Sequence, residues 1–492
     1  MVILPNCSNF AKNYYTSQHL LQYIMKIFSK NILFLMLSLL TTLPAMAQEE
    51  ETDAADSTLF IIEGQVRMRG EYRHGNLVPI DKGQKAVGFI NERARLSLGY
   101  QSQNVSLKIS GQHVGVWGEQ SVTNRSGNFV LNEAWGQLNS NDKQWILRLG
   151  RQVLAYDDER IFGTNDWDVA GNSHNMALIG YEGEQHRLHL FGAFNQNEET
   201  QPSDYCPTYY NPTATGLYKH IEGLWYHFGS KDAPFQFSIL GANIAYEAGR
   251  RWRENTCYTH MAGAYISYNS PQFGVEASGY VQLGKDTLLA NIKSLMATLN
   301  LHYRPMEGLC INAGADGLTG GRSKDMKTSH NFNPLFGNHH KYYGNMDYFT
   351  PSYFTASYGS GLLDMHGGVD YSIGNMFDAS AAYHYFTTTY DYGAKAFGLI
   401  NLGHEIDINL NWRPVKDCTV SAGYGMAFLT RNSDLLLLGD HTVTQNWGYV
   451  SVNFTPQLLK HYFGSKHSKA IAPVETPIEP RPVPRAVFKE YE

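Results

Sequence analysis

The sequence predicts an all-β fold: a single-chain antiparallel transmembrane β-barrel of about eighteen strands, with a cleaved N-terminal signal peptide. Three observations lead there. First, segments of roughly ten to fourteen residues alternate apolar and polar side chains. In Leu402-Gly-His-Glu-Ile-Asp-Ile-Asn-Leu-Asn-Trp412, Ile406, Ile408, Leu410 and Trp412 share one face, and Glu405, Asp407, Asn409 and Asn411 share the other. Second, the connectors alternate short and long, as they do when one end of a barrel carries tight turns and the other carries loops. Third, the composition suits a barrel with a wet lumen and tyrosine girdles: 17% charged, 13% aromatic, 32 Tyr and 46 Gly. A soluble reading of 492 residues needs several domains, and no linker before residue 455 divides the chain. The net charge of −6 offers no basic surface for nucleic acid.

In chain order, Met25-Lys-Ile-Phe-Ser-Lys30 is a basic leader and 31–43 is an apolar stretch too short to span a bilayer. Ala45-Met46-Ala47 then offers small residues for cleavage before Gln48, so 25–47 reads as a signal peptide. Residues 1–24 precede a complete leader and are expected to come from a start codon set too early. Residues 48–58 form a short periplasmic segment. The barrel follows at 59–454, with strands predicted at 59–73, 88–101, 103–118, 128–139, 143–154, 174–182, 185–196, 217–229 and 235–247. The pattern continues at 256–269, 272–284, 291–303, 306–318, 358–371, 374–388, 401–413, 416–429 and 443–454. Residues 455–492 carry Pro473, Pro477, Pro480, Pro482 and Pro484, and are expected to be an extended, disordered periplasmic tail.

Tight joints fall at Ser102, 182–184, 269–272, 304–307, 373–374 and 414–416. Long connectors fall at 74–87, 119–127, 155–173, 197–216, 319–357, 389–400 and 430–442. An even strand number puts both barrel ends on the short-turn side, read as periplasmic, with the long loops outside. Cys206 and Cys257 lie in or beside long loops and are the candidate pair for an extracellular disulfide. Cys310 and Cys418 read as packed thiols. The cysteine spacings carry no zinc pattern, and neither cofactor nor metal is expected.

Parity assigns the lumen. A charge on the lipid face at mid-membrane costs roughly 2–4 kcal/mol, so charged faces turn inward. The early strands then point Arg67, Arg69, Arg93, Arg95, Lys108, Arg148 and Arg187 into the pore. The late strands point in Asp316, Asp364, Asp370, Asp378, Glu405 and Asp407. The early wall is basic and the late wall acidic. Such walls either rigidify the interior as ion pairs or attract anionic and hydroxyl-rich solutes, for which the guanidinium fork is suited.

The longest loop, 319–357, is rich in aromatics and histidine. A loop this long is usually functional, and Phe332, Phe336, His340, Tyr342, Tyr343 and Asp347 are expected to fold into the pore as a constriction. His330, His339 and His340 read as solvated rather than ligating. The acidic run Asp157-Asp158-Glu159 reads as loop solvation or a calcium contact.

Three stretches resemble the alginate-export family of outer-membrane barrels. The first is Glu92-Arg-Ala-Arg-Leu-Ser-Leu98 with Gln112-His-Val-Gly-Val-Trp-Gly118. The second is Leu149-Gly-Arg-Gln-Val-Leu154 with Asp158-Glu-Arg-Ile-Phe-Gly163 and Trp167. The third is Phe332-Asn-Pro-Leu-Phe-Gly337 with His340-Lys-Tyr-Tyr-Gly-Asn-Met-Asp-Tyr-Phe349. The resemblance runs from about residue 60 to 454. It implies a non-enzymatic barrel with an arginine-lined conduit, for which Arg93, Arg95, Arg151 and Arg160 are the candidates. The acidic late wall departs from a lumen tuned to a polyanion, so the resemblance describes the scaffold more than the cargo. The expected function is an outer-membrane channel for polar solutes, including anionic sugars or oligosaccharides. The alternatives are a polyuronate exporter proper and a structural barrel with a closed lumen. Expected partners are outer-membrane lipid, the barrel assembly machinery and the solutes. An enzyme is not expected, because no Gly-x-Ser-x-Gly elbow or comparable nucleophile set is present. A receptor barrel would need a plug domain larger than 48–58 can supply.

Overall fold

The computed structural model describes residues 58–75, 78–119, 129–195, 218–248, 255–350, 359–391 and 396–463. Residues 1–24, the expected signal peptide, Cys206 and the prolines from Pro473 onward lie outside them. Eighteen strands close into one antiparallel barrel. They are β1 (Thr58–His74), β2 (Val87–Gln101), β3 (Val105–Val116), β4 (Phe129–Asn139), β5 (Trp145–Gln152) and β6 (His174–Glu182). Then come β7 (His186–Phe194), β8 (His220–Phe228), β9 (Phe235–Ala248), β10 (Asn255–Asn269), β11 (Phe273–Lys285) and β12 (Asn291–Met306). The last six are β13 (Leu309–Leu318), β14 (Leu362–Ile373), β15 (Phe377–Thr387), β16 (Asn401–Val415), β17 (Cys418–Leu429) and β18 (Gln445–Phe454). Each strand pairs with its sequence neighbours. β1 closes the ring: Arg67 faces Arg93 of β2 on one side and Asn453 of β18 on the other.

The barrel does not stop at residue 454. Gln457–Phe463, expected to belong to the tail, runs antiparallel along Thr58–Glu63. Pro456 sits in the break between the two halves of this closing strand, where no ladder N–H is required. Its carbonyl accepts the Gly64 N–H at 3.0 Å.

One end of the barrel carries tight turns. Gly308 (φ 77), Gly374 (φ 50) and Asp417 (φ 64) supply left-handed φ there. The outward face exposes Val66, Leu98, Ile109, Leu299, Ile406 and Leu410. Apolar surface on that scale, on every side of the molecule, suits hydrocarbon rather than water. The interior is less simple. The basic side chains of β1–β3 and the acidic ones of β13–β16 face inward, but a third wall lies between them. There Leu178, Phe191, Trp225, Leu240, Ile244, Met261 and Met296 turn inward and are buried. This adds to the expected wet lumen with its basic and acidic walls: one side is an apolar bed for the loops that fold in.

Candidate functional site

Two loops enter the barrel and meet inside it. One joins β5 to β6 and the other joins β13 to β14. Their backbones pair locally: the Gly163 N–H donates to the Phe336 carbonyl at 3.1 Å, and the Phe336 N–H donates to that of Ile161 at 2.9 Å. The Asn338 N–H reaches the Glu159 carbonyl at 2.8 Å. Aromatic contacts lock the junction. Phe162 packs on Phe336 with centroids 5.8 Å apart, and Trp167 stacks on His340 at 3.9 Å. The Arg160 guanidinium lies 3.6 Å over the Tyr342 ring. Phe162, Phe332, Tyr348 and Phe349 are almost wholly buried, packed with the apolar wall. Burial of this many rings fixes the loops as a plug-like constriction.

The charged walls hold the loops from opposite sides. On the basic wall, Arg67 donates to the Asp166 carbonyl at 2.6 Å and the Asp168 carbonyl at 3.0 Å. Arg69 donates to the Trp167 carbonyl at 2.7 Å and lies over its ring at 3.8 Å. Gln112 donates to the Ala170 carbonyl at 2.8 Å. Arg93 pairs with the Asp166 carboxylate at 2.7 Å, and Arg67 reaches the other oxygen of that carboxylate at 3.4 Å. On the acidic wall the polarity reverses. Asp407 accepts the Asn345 N–H at 3.1 Å and Glu405 accepts the Met346 N–H at 2.8 Å. Guanidinium groups grip carbonyls of one loop, and carboxylates grip amides of the other. The opposite signs of the walls thus match the backbone groups each loop presents.

The remaining predicted lumen residues are inward-facing and engaged with the wall. Arg95 donates to Gln112 at 2.8 Å, Lys108 pairs with Glu133 at 2.5 Å, and Arg148 donates to Gln137 at 2.7 Å. Asp378 pairs with Arg413 at 2.5 Å. Arg160 is in the junction itself, bound to Asp316 at 2.8 Å and Asp158 at 3.1 Å. Arg151 does not join the conduit. It lies three residues from Arg148, faces Ala134 in register and donates to the Leu131 carbonyl, so period-two parity turns it outward. In the long loop, Tyr343 is buried against Arg160, and His340 bonds Asp347 at 2.9 Å. Cys257 is buried, and its expected partner Cys206 is outside the described residues.

Sequence reasoning missed the β5–β6 loop as the second half of the constriction. The run Asp157-Asp158-Glu159 is not solvated: all three side chains are turned into the junction. Glu159 accepts from the Thr164 N–H and hydroxyl, each at 2.9 Å, and Asp157 accepts from the Trp225 indole at 3.0 Å. His339, read as solvated, is half-buried with its Nε2 shielded from water, and this desolvation pulls its imidazole down to about 4.

Burial pushes the Asp157 carboxyl up to about 7. The docked loop therefore keeps this proton to higher pH than the free loop does. Docking is strongest below the ordinary aspartate range and weakens as pH rises from about 4 to about 7, by roughly 1.4 kcal/mol per pKa unit at most. Asp157→Asn keeps the indole's acceptor but cannot ionise. Its loop should resist protease like wild type at pH 4 and progressively better than wild type towards pH 7. Parallel pH profiles for the two proteins would rule this out.

No protein-family model matches the chain, and no curated protein matches it in sequence. Solved structures do match in fold. OccAB4 of Acinetobacter baumannii is 11% identical with a TM-score of 0.53, over 83% of this chain and 100% of that one. OccK9 (OpdG) of Pseudomonas aeruginosa gives the same values. OpdK, an outer-membrane protein of P. aeruginosa also solved with vanillate, is 10% identical with a TM-score of 0.51, over 81% and 99%. At such identities the likeness is one of fold: a closed eighteen-stranded antiparallel barrel of the outer-membrane porin type.

Proposed function

We propose that the protein is a channel of a bacterial outer membrane that passes small polar solutes, anionic ones foremost, through a constriction its own loops create. One observation carries this reading. The Asp166 carboxylate bridges Arg93 and Arg67 while remaining 32% exposed. It occupies the place a solute carboxylate would take between two lumen guanidinium groups. A solute anion can exchange with it, because an exposed carboxylate regains hydration when it leaves. That OpdK was solved with vanillate, an aromatic carboxylate, is in keeping with this class of cargo. The resemblance to alginate exporters supports a second cargo, a polyuronate, on the same arginine wall.

In this reading the short-turn end, with both ends of the barrel strand series, lies in the periplasm and the inserted loops descend from the outside. The apolar belt contacts outer-membrane lipid, and the aromatic residues of the closing strand address the barrel assembly machinery. No enzymatic role is proposed.

Planar-bilayer recording tests the reading. Wild-type protein should conduct with anion preference, and small carboxylates should reduce the chloride current in a saturable manner. Asp166→Asn should strengthen that block several-fold by vacating the guanidinium pair. A protein that conducts nothing, or whose current carboxylates leave untouched, would overturn it. Block by alginate oligomers at lower concentration than by monocarboxylates would favour the polyuronate cargo.

A further inference from the structure

The geometry points to a divalent transition-metal site on the late lumen wall, formed by Asp364, His366 and His384. Asp364 and His366 are two apart on β14 and so share the inward face. His384 of β15 lies directly opposite His366 in register. Ligand atoms of the three residues lie within 4.8 Å of one another. The Nδ1 atom of His384 is 2.9 and 3.0 Å from the two Asp364 oxygens, and the Nδ1 atom of His366 is 3.6 Å from one of them. Metal–ligand bonds of about 2.0–2.2 Å imply tetrahedral edges of about 3.3 Å, which these separations bracket.

Three further features favour a cation. With the Asn300 amide oxygen 2.9 Å from Nε2 of His366, that nitrogen carries the hydrogen. That leaves Nδ1 to face an Asp364 carboxylate oxygen at 3.6 Å, a gap that a cation bound to both would fill. Consistently, this Nδ1 is buried and makes no hydrogen bond among the described residues. His366 also has an outer oxygen to orient it, as metal-bound histidines do: the Asn300 amide oxygen accepts from its Nε2. Finally, Asp364 is fully buried while the His366 side chain keeps 17% exposure, which opens the cluster to the lumen on one side. Two imidazoles and one carboxylate with an open position suit Zn²⁺, Co²⁺, Ni²⁺ or Cu²⁺ rather than Mg²⁺ or Ca²⁺.

The test is titration of the tag-free full-length protein, folded in detergent, with Co²⁺ and then Zn²⁺. One equivalent of Co²⁺ should bind, give visible d–d absorption, and be displaced by Zn²⁺. His366→Ala should weaken binding by about 100-fold or more, and Asn300→Ala by roughly 10–100-fold. His441→Ala tests the other Asp/His cluster, Asp434, Asp440 and His441, and should change nothing. Heat-modifiable gel migration verifies that each variant is folded. If His366→Ala does not fold, His366→Gln and Asn300→Ala carry the same comparison. Absence of Co²⁺ binding at millimolar concentration, equal binding by the folded His366 and Asn300 variants, or loss of binding in His441→Ala would each overturn the site.

Discussion

Gly344→Ala is expected to raise the time-averaged conductance of the channel by roughly tenfold while leaving the barrel folded. Gly344 has φ 81, and an added Cβ would lie 2.5 Å from a Glu405 oxygen. The left-handed backbone alone costs an alanine about 1–2 kcal/mol. The overlap cannot be relieved cheaply. Glu405 is fully buried and holds the Met346 N–H at 2.8 Å, so either it swings away and drops that bond or the loop tip lifts. Both outcomes break the acidic clasp, and each 1.4 kcal/mol lost is tenfold in the ratio of docked to undocked loop. Single-channel recording should show longer open periods, and protease should cut the β13–β14 loop faster. Unchanged gating together with unchanged cleavage would mean that the loop tip does not limit the pore. Gly344→Asn separates the two costs, because asparagine tolerates left-handed φ yet brings the same Cβ into the carboxylate.

The strands and their inward faces were legible in the sequence because a two-sided environment imprints a period of two. Arg67, Arg93, Glu405 and Asp407 could be assigned from that alone. Parity fails where both faces are apolar, as in β6, where the inward Met176 and Leu178 alternate with Ala177 and Ile179. The apolar wall was invisible for that reason, and with it the bed that draws the loops inside. The aromatic content of 319–357 announced a packed loop, but its counterpart at 155–173 reads as a polar run. Its burial depends on partners such as Arg67, Arg69 and Gln112, some sixty to a hundred residues away in the chain. Resemblance puts Arg151 in the conduit, although its distance of three from Arg148 puts it on the other face of the strand. The proline-rich composition of 455–492 hides the last part of the closing strand, because those prolines cluster from Pro473 onward. Gln457–Phe463 precedes them, and Pro456 stands only at the break.

Arg93→Ala should both lower anion preference and loosen the β5–β6 loop, and the two effects can be separated. The Arg93 side chain is wholly buried, and its pairing with Asp166 is the charged tether of that loop to β2. A hydrogen bond to a charged group contributes about 1.5–3 kcal/mol, so its loss shifts the loop towards release by roughly ten- to a hundredfold. The variant also removes one lumen cation, which lowers the potential that concentrates anions at the constriction. Arg93→Lys keeps the charge but not the planar fork that reaches Asp166 and the Val169 carbonyl together. It should retain the anion preference and still show the looser loop. Arg95→Ala makes the opposite cut. Arg95 donates to Gln112 and Asn132 on the wall, so its loss should reduce anion preference with little change in protease sensitivity of the loop. Reversal potentials in a salt gradient read the first effect and cleavage rates read the second. If neither Arg93→Ala nor Arg95→Ala alters the reversal potential, the arginine wall serves only to hold the loop, and selectivity must come from elsewhere in the lumen.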